Sequence, residues 1–450
     1  MAQNGQNGQN GKSFALHSLG CKVNQEEGRA LAALFLSRGW QERSLDETAD
    51  VYVINACAVT QTAESKARAL LRRLRRRHPQ ALVALCGCYG QIAVDKDNIP
   101  EEADLVAGVE ERAVLPELIE KKMAEGGREI PLTMAQPLQP GRPFTVIAAT
   151  SEQTRARAYL KIEDGCEEFC NYCIVPYARG PVRSLPQEQA LAQAAELLAQ
   201  GHREIVVSGV HIGAYGRDLQ DGSHLPTLIR RLAALPGCGR LRLGSIEPQQ
   251  FTAELLETFA TEMKICRHLH IPLQSGCDAT LRAMGRKYDT ADYAALVEKL
   301  RQICPEICIT TDIMVGYPGE TAAEFEQSRD FCRQMGFGRM HVFPYSQRPG
   351  TPAATAPGQI PGEEKKKRAA AMGDTARQLA RAYGEKFTGR KLQLLAEQKQ
   401  CVNGTDYISG HSDNYLPLLL PAAACPHWRP GQFIQVEGEI WQDGCLLTRR

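Results

Sequence analysis

A chain of 450 residues exceeds one ordinary core and, being 43% hydrophobic and 23% charged, reads as a soluble protein of roughly two to four domains. The net charge of +1 excludes a global polyelectrolyte match to nucleic acid, so any RNA contact has to come from local patches. No signal-peptide blocks open the chain and no apolar run approaches a membrane span, which leads to the expectation of a cytoplasmic protein with no membrane partner. In that setting sixteen cysteines point to metal or redox chemistry rather than to a disulfide scaffold.

Residues 1–11, MAQNGQNGQNG, form a polar repeat with nothing to bury and read as a disordered tail. Over residues 12–125 the runs FALHSLGC, VYVINAC and LVALCGC are short, apolar and rich in strand formers, with helical patterns between them. That alternation predicts an open parallel α/β sheet with right-handed crossovers. One of the helices carries KARALLRRLRRR, seven basic residues with no acidic interruption; Arg72, Arg73, Arg76 and Arg77 are its candidate phosphate contacts, against a merely solvated face. Residues 126–150, containing PLTMAQPLQPGRP, read as a linker.

Over residues 151–383 a strand-helix unit repeats about six times, predicting a partial (β/α)6 barrel rather than a closed eight-stranded one. Its strands are AYLKIEDG, EIVVSGVHIG, RLRLGSIEP, HLHIPLQSG, ICITTDIMVG and MHVFPYS, and reactive groups belong at their C-terminal ends. Gly209, Glu247, Gln274 and Asp312 fall at such ends and are candidate cofactor or nucleotide contacts. Pro318, Gly319 and Glu320 read as the cap of the next helix. Residues 384–450 change to short strands with turn signals, a small β-barrel of balanced charge. Its Tyr407, Tyr415, Phe433 and Trp441 are available for base stacking or for burial in the barrel.

Two cysteine sets carry the chemistry. GCEEFCNYC follows the first barrel strand directly and brings Cys166, Cys170 and Cys173 around one compact centre. Soft thiolates favour iron-sulfur or zinc. A structural zinc site takes four protein ligands, and the histidines nearest in sequence, His78 and His202, are distant, so a 4Fe-4S cluster with one iron left open fits the trio better. In the first domain Cys21, Cys57 and Cys88 each follow a parallel strand, and the carboxyl ends of such strands share one edge of the sheet. Cys86 competes with Cys88 but lies inside its apolar run, whereas Cys88 follows Gly87 in the turn.

The GCEEFCNYC segment resembles the radical S-adenosylmethionine superfamily. Taken with LGCKVNQ, NACAVTQTAESKAR, GCYGQ, VVSGVHIGAYGRD, RLGSIEP, HLHIPLQSGCDATLRAMGRKYD, TTDIMVGYPGET and FPYSQRPGTPAA, the chain resembles the methylthiotransferases of that superfamily. The resemblance implies two 4Fe-4S clusters, one on Cys166, Cys170 and Cys173 with S-adenosylmethionine as the fourth ligand, and an auxiliary one on Cys21, Cys57 and Cys88. It places Tyr172 near the adenine, makes the C-terminal module a TRAM-like domain that helps bind substrate RNA, and calls for an electron donor such as flavodoxin or ferredoxin. The sulfur source is not implied. Residues Gly20 to Gln25, Cys57 to Thr60 and Phe343 to Ser346 are most similar to the branch acting on N6-threonylcarbamoyladenosine beside the tRNA anticodon. Alternatives are the branches acting on isopentenyladenosine in tRNA or on an aspartate of a ribosomal protein, and a non-catalytic RNA-binding protein with structural metal. Glu26, Ala56 and Cys277 depart from the branch pattern.

Overall fold

The computed structural model describes residues 11–125, 131–147 and 156–450. Nearly all of the tail and parts of the linker expected from sequence lie outside the described residues. The chain divides into two compact units: one runs to Gln139 and takes in Ile174–Gly180, and the other holds the remaining barrel residues and the C-terminal module.

The first unit is a six-stranded, all-parallel sheet of β1 (Ser13–Leu19), β2 (Gln41–Glu42), β3 (Val51–Ala56), β4 (Leu82–Cys86), β5 (Leu105–Ala107) and β6 (Leu132–Met134), in spatial order β2-β1-β3-β4-β5-β6. Helices cover both faces, which is why β3 and β4 are buried at every position rather than alternating. α1 (Lys22–Ser37) and α4 (Leu115–Glu125) pack Leu31, Phe35, Leu115 and Ile119 on one face. α2 (Gln61–Arg77) and α3 (Cys88–Asp95) cover the other with Ala67, Leu71, Leu74 and Ile92. The short α5 (Val175–Arg179) adds Ile174 and Ala178 to that second core. The strand order reverses between β1 and β3, the crevice where open α/β sheets bind their ligands.

Two features differ from the sequence reading. Leu132–Met134, inside the expected linker, is an edge strand, because its backbone pairs with Leu105–Ala107. Ile174–Gly180, inside the expected barrel domain, belongs to the sheet unit because its apolar side packs there.

In the second unit, β7 (Arg157–Lys161), β10 (Glu204–Ser208) and β11 (Arg240–Leu243) form one parallel trio, while β12 (His268–His270), β13 (Cys308–Val315) and β14 (Arg339–Pro344) form another. Parallel bridges Leu241 to Ile265 and Ser245 to His270 join the two into an arc of six strands, as the six repeats predict. A two-stranded flap of β8 (Glu163–Asp164) and β9 (Arg183–Ser184) follows the first strand. Helices around the arc bury a continuous aliphatic core including Leu160, Val207, Leu243, Leu269 and Val315. The helix Ala322–Met335 is capped by Thr321 and Glu324, one residue later than expected; Glu320 instead accepts from Gly316 N and Arg368.

The C-terminal strands β15 (Lys391–Val402), β16 (Thr405–His411), β17 (Pro417–Pro421), β18 (Phe433–Gln442) and β19 (Cys445–Arg449) close into a five-stranded barrel. It is not separate from the core. Glu204, fully buried at the start of β10, pairs with Arg240 and Arg242, whose guanidiniums reach the carbonyls of His411, Ser412 and Asp413. Tyr415 stacks on His411 and lies 4.4 Å from the ring of His268, and the Arg240 guanidinium lies over Phe433, so both aromatics serve packing. Trp441 lies against Gly384 of the helix Gly362–Glu385 and is partly buried, as is Tyr407. Among the described residues no helix is long and apolar enough to cross a membrane.

Candidate functional site

In the sheet unit, three strand ends deliver the three cysteines. Cys21 follows β1 and caps α1, Cys57 follows β3, and Cys88 opens α3 after β4. Helix N-termini leave N–H groups without intrahelical partners, a setting that favours thiolate over thiol. Tight turns follow the strand ends and hold them close to one another. Gly20 (φ +113°) has no room for a Cβ, which would lie 2.0 Å from the Cβ and 2.9 Å from the Sγ of Cys57. Gly87 (φ +87°) presses on Asn55 in the same way. Behind the cysteines Asn24 donates to the carbonyls of Leu19 and Asn55 at 3.0 Å, and Asn55 donates back to Asn24 O at 2.7 Å, so α1 is locked across the β1/β3 crevice.

The trio is electrostatically linked. A hydrogen bond from Cys57 holds the Cys21 thiol down at about 6, and the same bond with burial pushes Cys57 up. Burial raises Cys88, partly offset by Arg179. Cys86 is wholly buried within β4, 3.8 Å from Asn55 Oδ1, in the apolar cluster of Phe14, Leu31 and Phe35, whereas Cys88 belongs to the cluster on the other face.

In the barrel unit, β7 leads into the loop of Cys166, Cys170 and Cys173. Gly165 (φ +92°) and Phe169 (φ +44°) adopt the left-handed conformation there, and Cys173 N donates to Cys170 O at 2.9 Å. Burial raises the Cys166 thiol to about 12, and the two other cysteines add to the shift, as neighbouring charges would. Among the described residues no three His, Cys, Asp or Glu side chains are drawn together tightly enough to hold a metal ion in place. The fit of each trio therefore rests on donor chemistry and position: three soft thiols on compact turns at the carboxyl ends of parallel strands.

The structure collects some of the sequence candidates and separates others. Arg286 links three of them: Nη1 lies 3.2 Å from Cys170 Sγ and 3.4 Å from the Tyr172 hydroxyl, and Nη2 pairs with Glu247. Its Nε donates to Tyr288 at 3.1 Å. Gly209 lies beyond β10, and a Cβ there would stand 2.8 Å from Glu163 Oε2. Gln274 (φ +68°) is buried, with Oε1 unpartnered, and its N–H bonds to Asp312 O at 2.9 Å. Asp312 sits within β13 rather than at its end, 3.4 Å from His270 Nε2.

Sequence reading misses Arg286, Glu163 and His211. His211, not His78 or His202, stands beside the cysteines, with Nδ1 3.8 Å from Cys166 Sγ. Burial lowers the imidazole to about 4 and raises the Glu163 carboxyl to about 8. Glu163 Oε2 accepts from Val210 N at 2.9 Å and His211 N at 2.6 Å, fixing the loop that presents the imidazole. The available signal is VVSGVHIG itself, in which His211 follows Gly209 by two residues.

Residues 160–332 match the radical SAM superfamily, and residues 13–108 match the uncharacterized protein family UPF0004. The chain is 36% identical over 407 residues to the threonylcarbamoyladenosine tRNA methylthiotransferase MtaB of Bacillus subtilis, covering 90% of this chain and 89% of the relative. It is 33% identical over 423 residues to the tRNA-2-methylthio-N(6)-dimethylallyladenosine synthase of Moorella thermoacetica, covering 91% and 92%. In fold alone it is similar to the radical S-adenosylmethionine methyltransferase TsrM of Kitasatospora setae, solved with cobalamin and a 4Fe-4S cluster, with a TM-score of 0.55 at 15% identity over 76% of this chain and 77% of that one. With strand-end cysteines on a parallel α/β sheet and on a six-stranded partial barrel, and with such relatives over nearly its whole length, the chain belongs to the methylthiotransferases of the radical SAM superfamily, enzymes that work with a 4Fe-4S cluster and S-adenosylmethionine.

Proposed function

We propose that the protein inserts a methylthio group at C2 of N6-threonylcarbamoyladenosine beside the tRNA anticodon, with Cys166, Cys170 and Cys173 holding the cluster that meets S-adenosylmethionine and Cys21, Cys57 and Cys88 holding a second, auxiliary 4Fe-4S cluster. The observation that carries this reading is the similarity to the Bacillus subtilis enzyme, 36% identical over 407 residues and covering 90% of this chain. C2 of the modified adenine is an unactivated aromatic C–H carbon, beyond the reach of side-chain acid and base groups, so cofactor chemistry is needed. When bound, the cluster and S-adenosylmethionine supply one-electron reductive cleavage of a carbon-sulfur bond.

The chain's own residues have the remaining tasks. Cys166, Cys170 and Cys173 leave one coordination position to the cofactor. Arg286 supports Cys170 from outside and orients Glu247 and Tyr172, while Glu163 holds the turn carrying Gly209 and His211. Gln274 and Asp312 line the same strands farther along the arc. The partners of this reading are a tRNA anticodon stem-loop and a one-electron donor of the flavodoxin or ferredoxin class, in a cytoplasmic setting. A second reading, modification of isopentenyladenosine, is favoured by the 33% identity to the Moorella enzyme over a comparable span. Nucleoside mass spectrometry of tRNA from a strain lacking the gene separates them: 2-methylthio-N6-threonylcarbamoyladenosine disappears under the first reading and persists under the second or with a ribosomal-protein substrate.

A further inference from the structure

The Cys166 loop and the turn after β10 are tied together by one carboxylate. Glu163, fully buried in β8 three residues before Cys166, accepts through Oε2 from Val210 N at 2.9 Å and from His211 N at 2.6 Å. Gly209 permits this approach. A Cβ there would lie 2.8 Å from Glu163 Oε2 and 2.9 Å from Glu163 O, so a side chain would force the turn away from β8. On its other side His211 is held through its own carbonyl, which accepts from Ala214 N at 2.8 Å. The backbone of His211 is thus fixed relative to the segment that carries Cys166.

The imidazole closes the circuit. It is 4% exposed, and Nδ1 lies 3.8 Å from Cys166 Sγ, a separation in keeping with the large radius of sulfur. Nε2 is buried and has no hydrogen-bond partner among the described residues. That asymmetry assigns the proton once Cys166 is a metal-bound thiolate. In the uncharged ring one nitrogen donates and the other accepts. With hydrogen on Nδ1 the N–H faces a sulfur acceptor, and only a lone pair is left unmatched. With hydrogen on Nε2 a buried donor goes unpaired while the Nδ1 lone pair faces those of the sulfur, which is the costlier arrangement. Hydrogen bonds to ligating sulfurs are among the factors that set an iron-sulfur potential, because they stabilise the extra negative charge of the reduced state.

We propose that His211 is a positioning residue of the Cys166, Cys170 and Cys173 site: its Nδ1–H donates to the Cys166 sulfur, orients that ligand and raises the reduction potential of the cluster held there. The inference rests on reading that trio as a cluster site.

The test uses full-length protein in which Cys21, Cys57 and Cys88 are replaced by Ala, so that the barrel trio alone can hold a cluster. Iron content comes first: an iron-free protein in this background overturns the reading of the trio itself, before His211 is changed. His211→Phe keeps the bulk of a ring and removes both nitrogens, whereas His211→Asn keeps an N–H donor close to where Nδ1 stands. The midpoint potential is followed by electron paramagnetic resonance during reductive titration, and cluster loss by the rate of iron release to a chelator. His211→Phe is expected to lower the potential and speed iron release several-fold, with His211→Asn staying near the parent in both. An unchanged or raised potential in a cluster-loaded His211→Phe protein, or equal shifts in the two variants, overturns the proposal. Should His211→Phe fold, as judged by circular dichroism, yet take up no cluster while His211→Asn does, the N–H donor is a condition of loading and the proposal stands; failure of both to load contradicts it.

Discussion

Arg286 stands with Nη1 3.2 Å from the sulfur of Cys170 while its other terminal nitrogen is bound to Glu247, so one guanidinium ties a cysteine of the proposed cluster trio to a residue beyond the end of β11. Its side chain is 4% exposed. A charge-assisted N–H donor to a ligating sulfur orients the ligand and moderates its basicity, and removing such a support typically costs about 10–100-fold in metal affinity or activity.

Arg286→Gln is accordingly expected to slow reductive cleavage of S-adenosylmethionine by about 10–100-fold, read as 5′-deoxyadenosine formed without tRNA. Binding of tRNA should be unaffected. A variant with normal cleavage would remove Arg286 from the site.

The two cysteine trios are separable by metal content. Replacing Cys166, Cys170 and Cys173 by Ala, or Cys21, Cys57 and Cys88 by Ala, should each reduce iron from about eight to about four per chain. Only the second variant should still form 5′-deoxyadenosine, and neither should methylthiolate tRNA. Full iron in either variant would contradict the assignment of that trio.

The basic helix α2 is narrower as a nucleic-acid surface than its sequence suggests. Arg68, Arg72, Arg75 and Arg77 are paired with Glu64, Glu102, Asp104 and Asp46. Lys66, Arg73 and Arg76 are exposed, lie on one helical face and have no ion pair among the described residues. Neutralising these three should weaken tRNA binding and flatten the dependence of log affinity on log salt by about 3, one unit for each phosphate no longer neutralised. Neutralising Arg72 and Arg77 should do less; the reverse order would place the RNA elsewhere.

Acid stability tests the junction between core and C-terminal barrel. Burial alone would raise the Glu204 carboxyl, but Arg242 and Arg240 outweigh it and hold the group at about 2 rather than 4.5. A depressed carboxylate pKa contributes stability that is present above the unfolded value and lost as pH falls toward the folded one. The contribution is on the order of 3 kcal/mol and disappears between about pH 5 and pH 2. Denaturant unfolding should therefore show a weaker pH dependence in that window for Glu204→Gln, alongside lower stability at neutral pH from the two arginines left without a carboxylate. Equal slopes in the two proteins would contradict the role of Glu204.

Much of this architecture is legible in the chain. The six barrel strands and the turn positions of Cys21, Cys57 and Cys88 follow from apolar runs ending in Gly or Cys, because strand period and turn chemistry are local. What escapes is set by tertiary contact. Leu132–Met134 looks like linker, since its neighbours are Pro and Gly and only pairing with Leu105–Ala107 makes it a strand. Ile174–Gly180 follows Cys173 directly and reads as part of the barrel, yet its buried arginine pairs with Glu27, 152 positions away in sequence. Arg286 and His211 lie inside the motifs HLHIPLQSGCDATLRAMGRKYD and VVSGVHIG, and Glu163 falls near the end of the first barrel strand run, but nothing local in those runs says which sulfur or amide each side chain reaches. Asp312 reads as a strand end because VGYPGE supplies the turn, but β13 runs on to Val315.

The substrate assignment is tested most directly by offering reconstituted full-length protein, with S-adenosylmethionine, sulfide and a reductant, an equimolar mixture of tRNA carrying N6-threonylcarbamoyladenosine and tRNA carrying isopentenyladenosine. Digested nucleosides are then quantified by mass spectrometry. The expected dominant product is 2-methylthio-N6-threonylcarbamoyladenosine. Accumulation of the methylthiolated isopentenyl nucleoside instead, with the threonylcarbamoyl nucleoside unchanged, would contradict the assignment.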